Sequence, residues 1–375
     1  MLKDDVVEIL KYALLDKLYT KKINTEEIFY LFKAHTVLGI GYKAIPEDSM
    51  SDTIRDKWQN ALIYNVINYT RLIDLQKKTV QLLNDSDIKC VILKGTAVGQ
   101  YYPTPIDRMY GDIDILVRPD DYEDSKYIFL QNNYSLIEID DYHDVFSKNN
   151  CIIELHRYPS GLTPYPVELK QEFYKGFDNL HIDALGFPVL PYYLNGLVLL
   201  LHLYHHMYAG IGLRHLIDWR QFVEKELYDE RLLQMKQILN KYRLLKFAKL
   251  MTRTCELYLG LKENENGWCT DVNTYACDVF LNYVYSCGNM GRMNSKERNL
   301  FFLGNVITSG FLKKHSKKRW FKGFYESYLV FMKYVSLFNG QINKDDLKRI
   351  KDYQLLHIEM GMYDIYDVYD CKLCT

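Results

Sequence analysis

The sequence predicts an α+β protein, and two observations carry that prediction. Segments with strand character gather in the middle third, roughly residues 88–156, while amphipathic helical periodicity fills the regions before and after. Neither an internal repeat nor a low-complexity segment interrupts this order, and 375 residues are enough for two or three domains with ample core.

The elements follow in order. Val6, Val7, Leu10, Ala13 and Leu14 recur at helical spacing. The stretch TIRDKWQNALIYNVINYTRLIDLQKKTVQLLND is long, amphipathic and free of Gly and Pro, so residues 1–85 read as helical. IKCVIL, 88–93, reads as a short buried strand that Lys94-Gly95 breaks. A short helix is expected over 96–102, then a turn at Pro103 and Pro105, then a strand over 111–117. PDDYEDSKYIFLQNN has an acidic, capped start and predicts a helix. Strands are expected at 134–139, 142–147 and 151–156, a loop over 158–190, and helices from there almost to the end.

Composition excludes several classes. Hydrophobic residues at 48% and charged residues at 25% are an ordinary globular balance. With 47 basic against 48 acidic residues, no global charge points to nucleic acid or an anionic membrane. The longest apolar run, GLVLLLHLY at 196–204, is far shorter than the roughly 20 residues a membrane span needs. Asp4 and Asp5 stand where a secretory signal would be basic. Eight scattered cysteines predict reduced thiols and a cytoplasmic location. The terminal pair Cys371 and Cys374 has no second pair at zinc-like spacing and reads as a solvated tail.

The chemistry starts at YGDIDILVRP, 110–119. Alternation puts Asp112 and Asp114 on one face of the strand and Ile113 and Ile115 on the other. Two carboxylates so close repel, and a divalent cation or nearby Lys and Arg would relieve them. Oxygen-only ligands suit Mg²⁺ or Mn²⁺, ions that hold one or two carboxylates together with substrate phosphates. In NNCIIELHR, 149–157, alternation places Glu154 and His156 on one face, so pairing with the 111–117 strand would add a third carboxylate. In ILKGTAVGQYY the strand ends in Lys94-Gly95-Thr96 before a helix. That turn lets phosphate approach backbone N–H groups, with Lys94 and Arg108 as cations.

The segments LKGTAVGQYYP, DRMYGDIDILV and IELHR together resemble the uncharacterised nucleotidyltransferase family of the DNA polymerase β-like superfamily. The likeness extends to LLLHLYHHMYAGIGLRHLIDWRQFV, 199–223, and spans roughly residues 85–225. It implies a small mixed-sheet nucleotidyltransferase core (86–190) between a helical N-terminal region (1–85) and a helical C-terminal domain (191–375). It further implies that Asp112 and Asp114 hold the metals bridging a nucleoside triphosphate, with Glu154 as third ligand, able to help deprotonate an acceptor hydroxyl. Lys94, Gly95, Thr96, Arg108, His156 and Arg214 would bind the nucleotide. The commoner superfamily turn is Gly-Ser, and here it reads Lys94-Gly95-Thr96. The acceptor is open: a small molecule, sugar, peptide, protein or RNA. The rival within the same pocket is a catalytically weak nucleotide- or acceptor-binding module.

Three features allow two readings each. His202, His205 and His206, followed by Asp218, have spacing that a zinc hydrolase could use, or they pack and bond within a helix. Arg214 reaches triphosphate oxygens or pairs with Asp218 four residues on. KKHSKKRWFKGF, 313–324, carries six Lys/Arg and either grips RNA or an acidic acceptor or is simply solvated.

Overall fold

The computed structural model describes residues 2–159, 167–263, 267–313 and 342–362. The basic stretch from 314 onward and the terminal Cys371 and Cys374 lie outside the described residues.

Four helices open the chain: α1 (Leu2–Leu14), α2 (Thr25–Ala34), α3 (Leu38–Tyr42) and α4 (Asp52–Asn84). Ser51 caps α4 by accepting from the Ile54 N–H, and 33 residues without Gly or Pro make it about 50 Å long. Its first half buries Ile54 and Trp58 in the larger, helical core, while Leu72, Leu75, Val80 and Leu83 of its second half pack beneath the sheet. The helix is therefore the spine joining both cores.

The middle of the chain holds β1 (Cys90–Leu93), α5 (Gly95–Gly99), β2 (Asp112–Val117), α6 (Tyr122–Gln131), β3 (Ser135–Ile139), β4 (His143–Lys148) and β5 (Cys151–His156). The loop expected over 158–190 has regular structure among its described residues. It contains α7 (Val167–Gly176) and two short strands, β6 (His181–Ile182) and β7 (Pro188–Val189). Leu169 and Phe173 give α7 a buried stripe, and strands of two residues are too short to show alternation in sequence.

Seven strands form one mixed sheet in the order β3-β4-β5-β2-β1-β7-β6. The β2–β5 and β1–β7 pairs are parallel and the others antiparallel. One face sends Ile92, Ile113, Ile115, Phe146, Ile153 and Leu155 into the core shared with α4 and α6. The opposite face sends Val91, Leu93 and Leu116 into the helical core, and this is also the face of Asp112 and Asp114.

Helices follow: α8 (Tyr192–His206), α9 (Leu213–Glu226), α10 (Asp229–Lys241), α11 (Leu245–Tyr258), α12 (Thr274–Cys287), α13 (Ser295–Lys313) and α14 (Lys344–Glu359). The centre of α8 is apolar all round and buried all round, leaving its polar C-terminal end to face the sheet. Two glycine-bearing loops meet backbone to backbone beside that end. Gly210 (φ +94) and Gly291 (φ +62) both adopt left-handed conformations, and a Cβ on Gly210 would lie 2.6 Å from the Gly291 Cα. The α8–α9 and α12–α13 connections are thus dovetailed.

Candidate active site

The parallel register of β2 and β5 sets Asp114 directly beside Glu154 and Asp112 beside Ile152. Three carboxylates therefore share one sheet face, as alternation in the sequence implies. They open onto a cleft of about 680 Å³. Of the residues read from the sequence as site residues, Lys94, Gly95, Arg108, Asp112, Asp114, Glu154, His156 and Arg214 line this cleft. Thr96 does not: it is buried, and its hydroxyl donates to Gln76 Oε1 at 2.9 Å.

Lys94 reaches the carboxylates through an unusual backbone. Leu93 pairs with Asp114 and shares its face, so strict alternation would turn Lys94 the other way. Instead Lys94 takes φ +43 with ψ −132, a conformation that favours glycine and costs a side-chain-bearing residue about 1–3 kcal/mol. The reversal brings Nζ to 2.5 Å from Asp114 Oδ1 and 4.0 Å from Glu154 Oε2. Burial opposes the ammonium charge, yet Asp114, Glu154 and Asp112 hold the Lys94 pKa above its ordinary value. Backbone strain maintained for one ionic contact is a common mark of a functional position.

His156 is the second partner of the carboxylates. Its Nε2 lies 2.9 Å from Asp114 Oδ1 and 3.1 Å from Glu154 Oε2, and its Nδ1 faces the Tyr158 carbonyl at 3.1 Å. Burial disfavours its protonation, but the bonds to Asp114 and Glu154 prevail and raise its pKa. Burial would likewise raise Glu154, yet the His156 bond and the Lys94 charge bring it down to about 2. Asp112 stands apart. Burial and the neighbouring Asp114 charge push its carboxyl above the usual range.

Of the two readings the sequence allows for Arg214, the pairing with Asp218 is not formed. Asp218 is held by Arg108, not by Arg214: Nε and Nη2 of Arg108 donate to its two oxygens at 2.9 and 3.0 Å, and the Tyr102 hydroxyl adds a bond at 2.7 Å. The four-residue spacing of Arg214 and Asp218 is overridden by a partner 110 positions away. Asn65 and Asn68 of α4 anchor the same segment by donating to the carbonyls of Ile106, Arg108 and Tyr110. Arg214 donates from Nη1 to the Met109 carbonyl at 3.1 Å, and its buried Nε has no partner. A buried guanidinium with an unused donor, on the wall of a cleft, suits an anion.

Several lining residues escaped the sequence reading. His143 lies on β4 opposite His156, and Tyr142 follows it in the wall, with its ring centroid 4.4 Å from that of His143. Period-two alternation through β4 was the available signal for His143, once its pairing with β5 is known. The α8 histidines that the sequence does single out, His202, His205 and His206, also line the cleft, and their rings contact one another: 4.3 Å between the centroids of His202 and His206, and 5.1 Å between those of His205 and His206. Burial and nearby positive charge lower the pKa of all three. Among the described residues, the cluster whose ligand atoms lie close enough for a metal is His143, Glu154 and His156 instead. Asn289, Met290 and Arg292 close the far wall.

A family profile described as uncharacterised nucleotidyltransferase matches residues 21–260. The chain belongs to that family. It is the family the motifs resemble, and general nucleotidyl transfer is the activity class that membership assigns. Among solved structures, this nucleotidyltransferase is similar to the antibiotic-resistance factor ANT(2'')-Ia in solution. The two are 12% identical with a TM-score of 0.35, covering 46% of this chain and 94% of that one. No curated protein matches it. Asn289, Met290 and Arg292 lie beyond the family-matched segment, yet they complete the cleft of this nucleotidyltransferase. No helix among its described residues is long and apolar enough to cross a membrane, and the described cysteines are free.

Proposed function

We propose that the protein transfers an NMP from a nucleoside triphosphate to an acceptor hydroxyl or phosphate and releases pyrophosphate, with Mg²⁺ or Mn²⁺ required. The observation that carries this reading is the convergence of Asp112, Asp114 and Glu154 on one cleft beside Lys94 and Arg214. Three carboxylates balanced by an ammonium and an imidazole are a donor set that fits a hard divalent cation. Asp112, Asp114 and Glu154 would hold it, and when bound it supplies charge neutralisation for the phosphates.

The chain's own groups account for the rest. Arg214 offers the triphosphate an unpaired Nε–H and a fixed positive charge. Lys94, already oriented by its strained backbone, supplies a second cation at the carboxylate end. Arg108, bound to Asp218, positions the segment that leads into β2. Glu154, held at about 2, is a poor proton acceptor and contributes charge more than basicity. A cytoplasmic setting, with reduced thiols and abundant NTPs, accords with the free cysteines.

The test is pyrophosphate release from each of the four NTPs with Mg²⁺ and a panel of hydroxyl-bearing acceptors. Release is expected with at least one pair and is expected to fall at least a thousandfold in Asp112→Asn. Tight Mg²⁺–NTP binding without pyrophosphate release from any pair would favour the binding module. Absence of both would end the nucleotidyl-transfer reading.

A further inference from the structure

Glu154 faces nitrogen as well as oxygen. The antiparallel β4–β5 register sets His143 against His156 and Val145 against Glu154. The two imidazoles stack with centroids 5.0 Å apart. His143 Nε2 is 3.8 Å from one Glu154 oxygen, and His156 Nε2 is 3.1 Å from the other and 2.9 Å from Asp114 Oδ1. One ligand atom from each of His143, Glu154 and His156 lies within 4.8 Å of the others.

The outer bond of His156 is equally specific. A carbonyl only accepts, so the Tyr158 oxygen fixes the proton on Nδ1 and turns Nε2 toward the two carboxylates. Metal-ligating histidines are commonly oriented by such a bond. Metal–donor distances of about 2.1 Å imply donor–donor separations of about 3.0 Å at right angles and about 3.4 Å in a tetrahedron. The His156 separations of 2.9 and 3.1 Å match the right-angle value, and His143, at 3.8 Å from Glu154, would close in on a bound ion.

We propose that His143, Glu154 and His156, joined by Asp114, form a mixed nitrogen–oxygen site for a borderline divalent ion such as Co²⁺ or Zn²⁺, and that it fills without nucleotide. The inference deepens the proposed function by naming a metal class for the same cleft, and it shares Asp114 and Glu154 with that reading. Imidazole nitrogen favours these ions over Mg²⁺, which needs oxygen donors and retains water. Asp112 lies outside the nitrogen-bearing set and remains available to a hard ion arriving with phosphates. His202, His205 and His206 contact one another's rings and lie outside this donor group.

The experiment titrates Co²⁺ into metal-stripped protein without nucleotide and reads visible d–d absorption, with calorimetry giving the stoichiometry. One Co²⁺ per chain is expected, undisplaced by millimolar Mg²⁺. His143→Gln, on the cleft wall, is expected to weaken binding 10–100-fold and His156→Ala to abolish it. His202→Ala is expected to stay within twofold of wild type. Circular dichroism reports whether each variant is folded, and His143→Gln decides if His156→Ala is not. Failure to bind Co²⁺ without nucleotide, unchanged affinity in His143→Gln, or loss in His202→Ala would overturn the proposal. Mg²⁺-supported pyrophosphate release without a Co²⁺ site sinks this inference alone. A Co²⁺ site without any pyrophosphate release sinks only the transferase reading.

Discussion

Asp112 and Asp114 look interchangeable in DID, and their surroundings make them opposites. Asp114 is buried and carries Lys94 at 2.5 Å and His156 at 2.9 Å, whereas burial and its neighbour's charge press Asp112 toward the neutral form. Neutralising Asp112 relieves repulsion, whereas neutralising Asp114 takes from buried Lys94 its nearest carboxylate and leaves Glu154, 4.0 Å away, as its remaining close partner. Asp114→Asn is therefore expected to lose about 3–5 kcal/mol of stability, with Asp112→Asn equal to or above wild type. Urea unfolding of both variants checks this, and equal losses would remove the distinction. The shared face of the pair was legible from alternation alone. The partners were not, because Lys94 reaches Asp114 only through a positive-φ backbone that no periodicity announces.

The segment between α5 and β2 depends on two elements that sequence spacing does not connect to it. Asn65 and Asn68 on α4 hold its carbonyls, and Asp218 on α9 holds Arg108. The arginines then divide the work. Arg108→Ala removes one side of a buried bidentate pair and is expected to cost about 3–5 kcal/mol. Arg214→Ala breaks only a bond to one carbonyl, so it is expected to leave unfolding nearly unchanged while weakening Mg²⁺–NTP binding about tenfold, near 1.4 kcal/mol. Denaturation and nucleotide titration of both variants separate the roles, and the reverse pattern would place Arg108 on the phosphates. Helices with clear stripes, such as α4, were legible in full. Two-residue strands such as β6 and β7 were not, and neither was a register that makes His143 a neighbour of Glu154.

Across the whole molecule, neutral histidines are built into the packing. His35 accepts from the Leu213 N–H and stacks on Tyr285, while His357 lies against Phe301. Burial lowers His35 to about 4 and His357 to about 3, against an ordinary value near 6.5. The unfolded chain thus binds protons that the native state refuses. The stability these groups contribute is whole above about pH 6.5 and drains away as pH falls toward 4 and 3, by up to about 3 kcal/mol for His35 and about 5 kcal/mol for His357. Urea midpoints measured from pH 7.5 to 4 are expected to fall steadily. His35→Asn is expected to flatten part of that slope, and a slope identical to wild type would exclude His35 as a source.

The dovetail of Gly210 with Gly291 has a consequence for the order in which the protein is made. Domains generally form from the N-terminal end as the chain emerges from the ribosome. The carboxylates, Arg108 and Arg214 have emerged by residue 214, but the loop that locks the α8–α9 turn and closes the far wall comes some 75 residues later. A nascent chain therefore carries its charged site early and unwalled. It becomes a finished pocket only when α12 and the turn after it have been synthesised and seated.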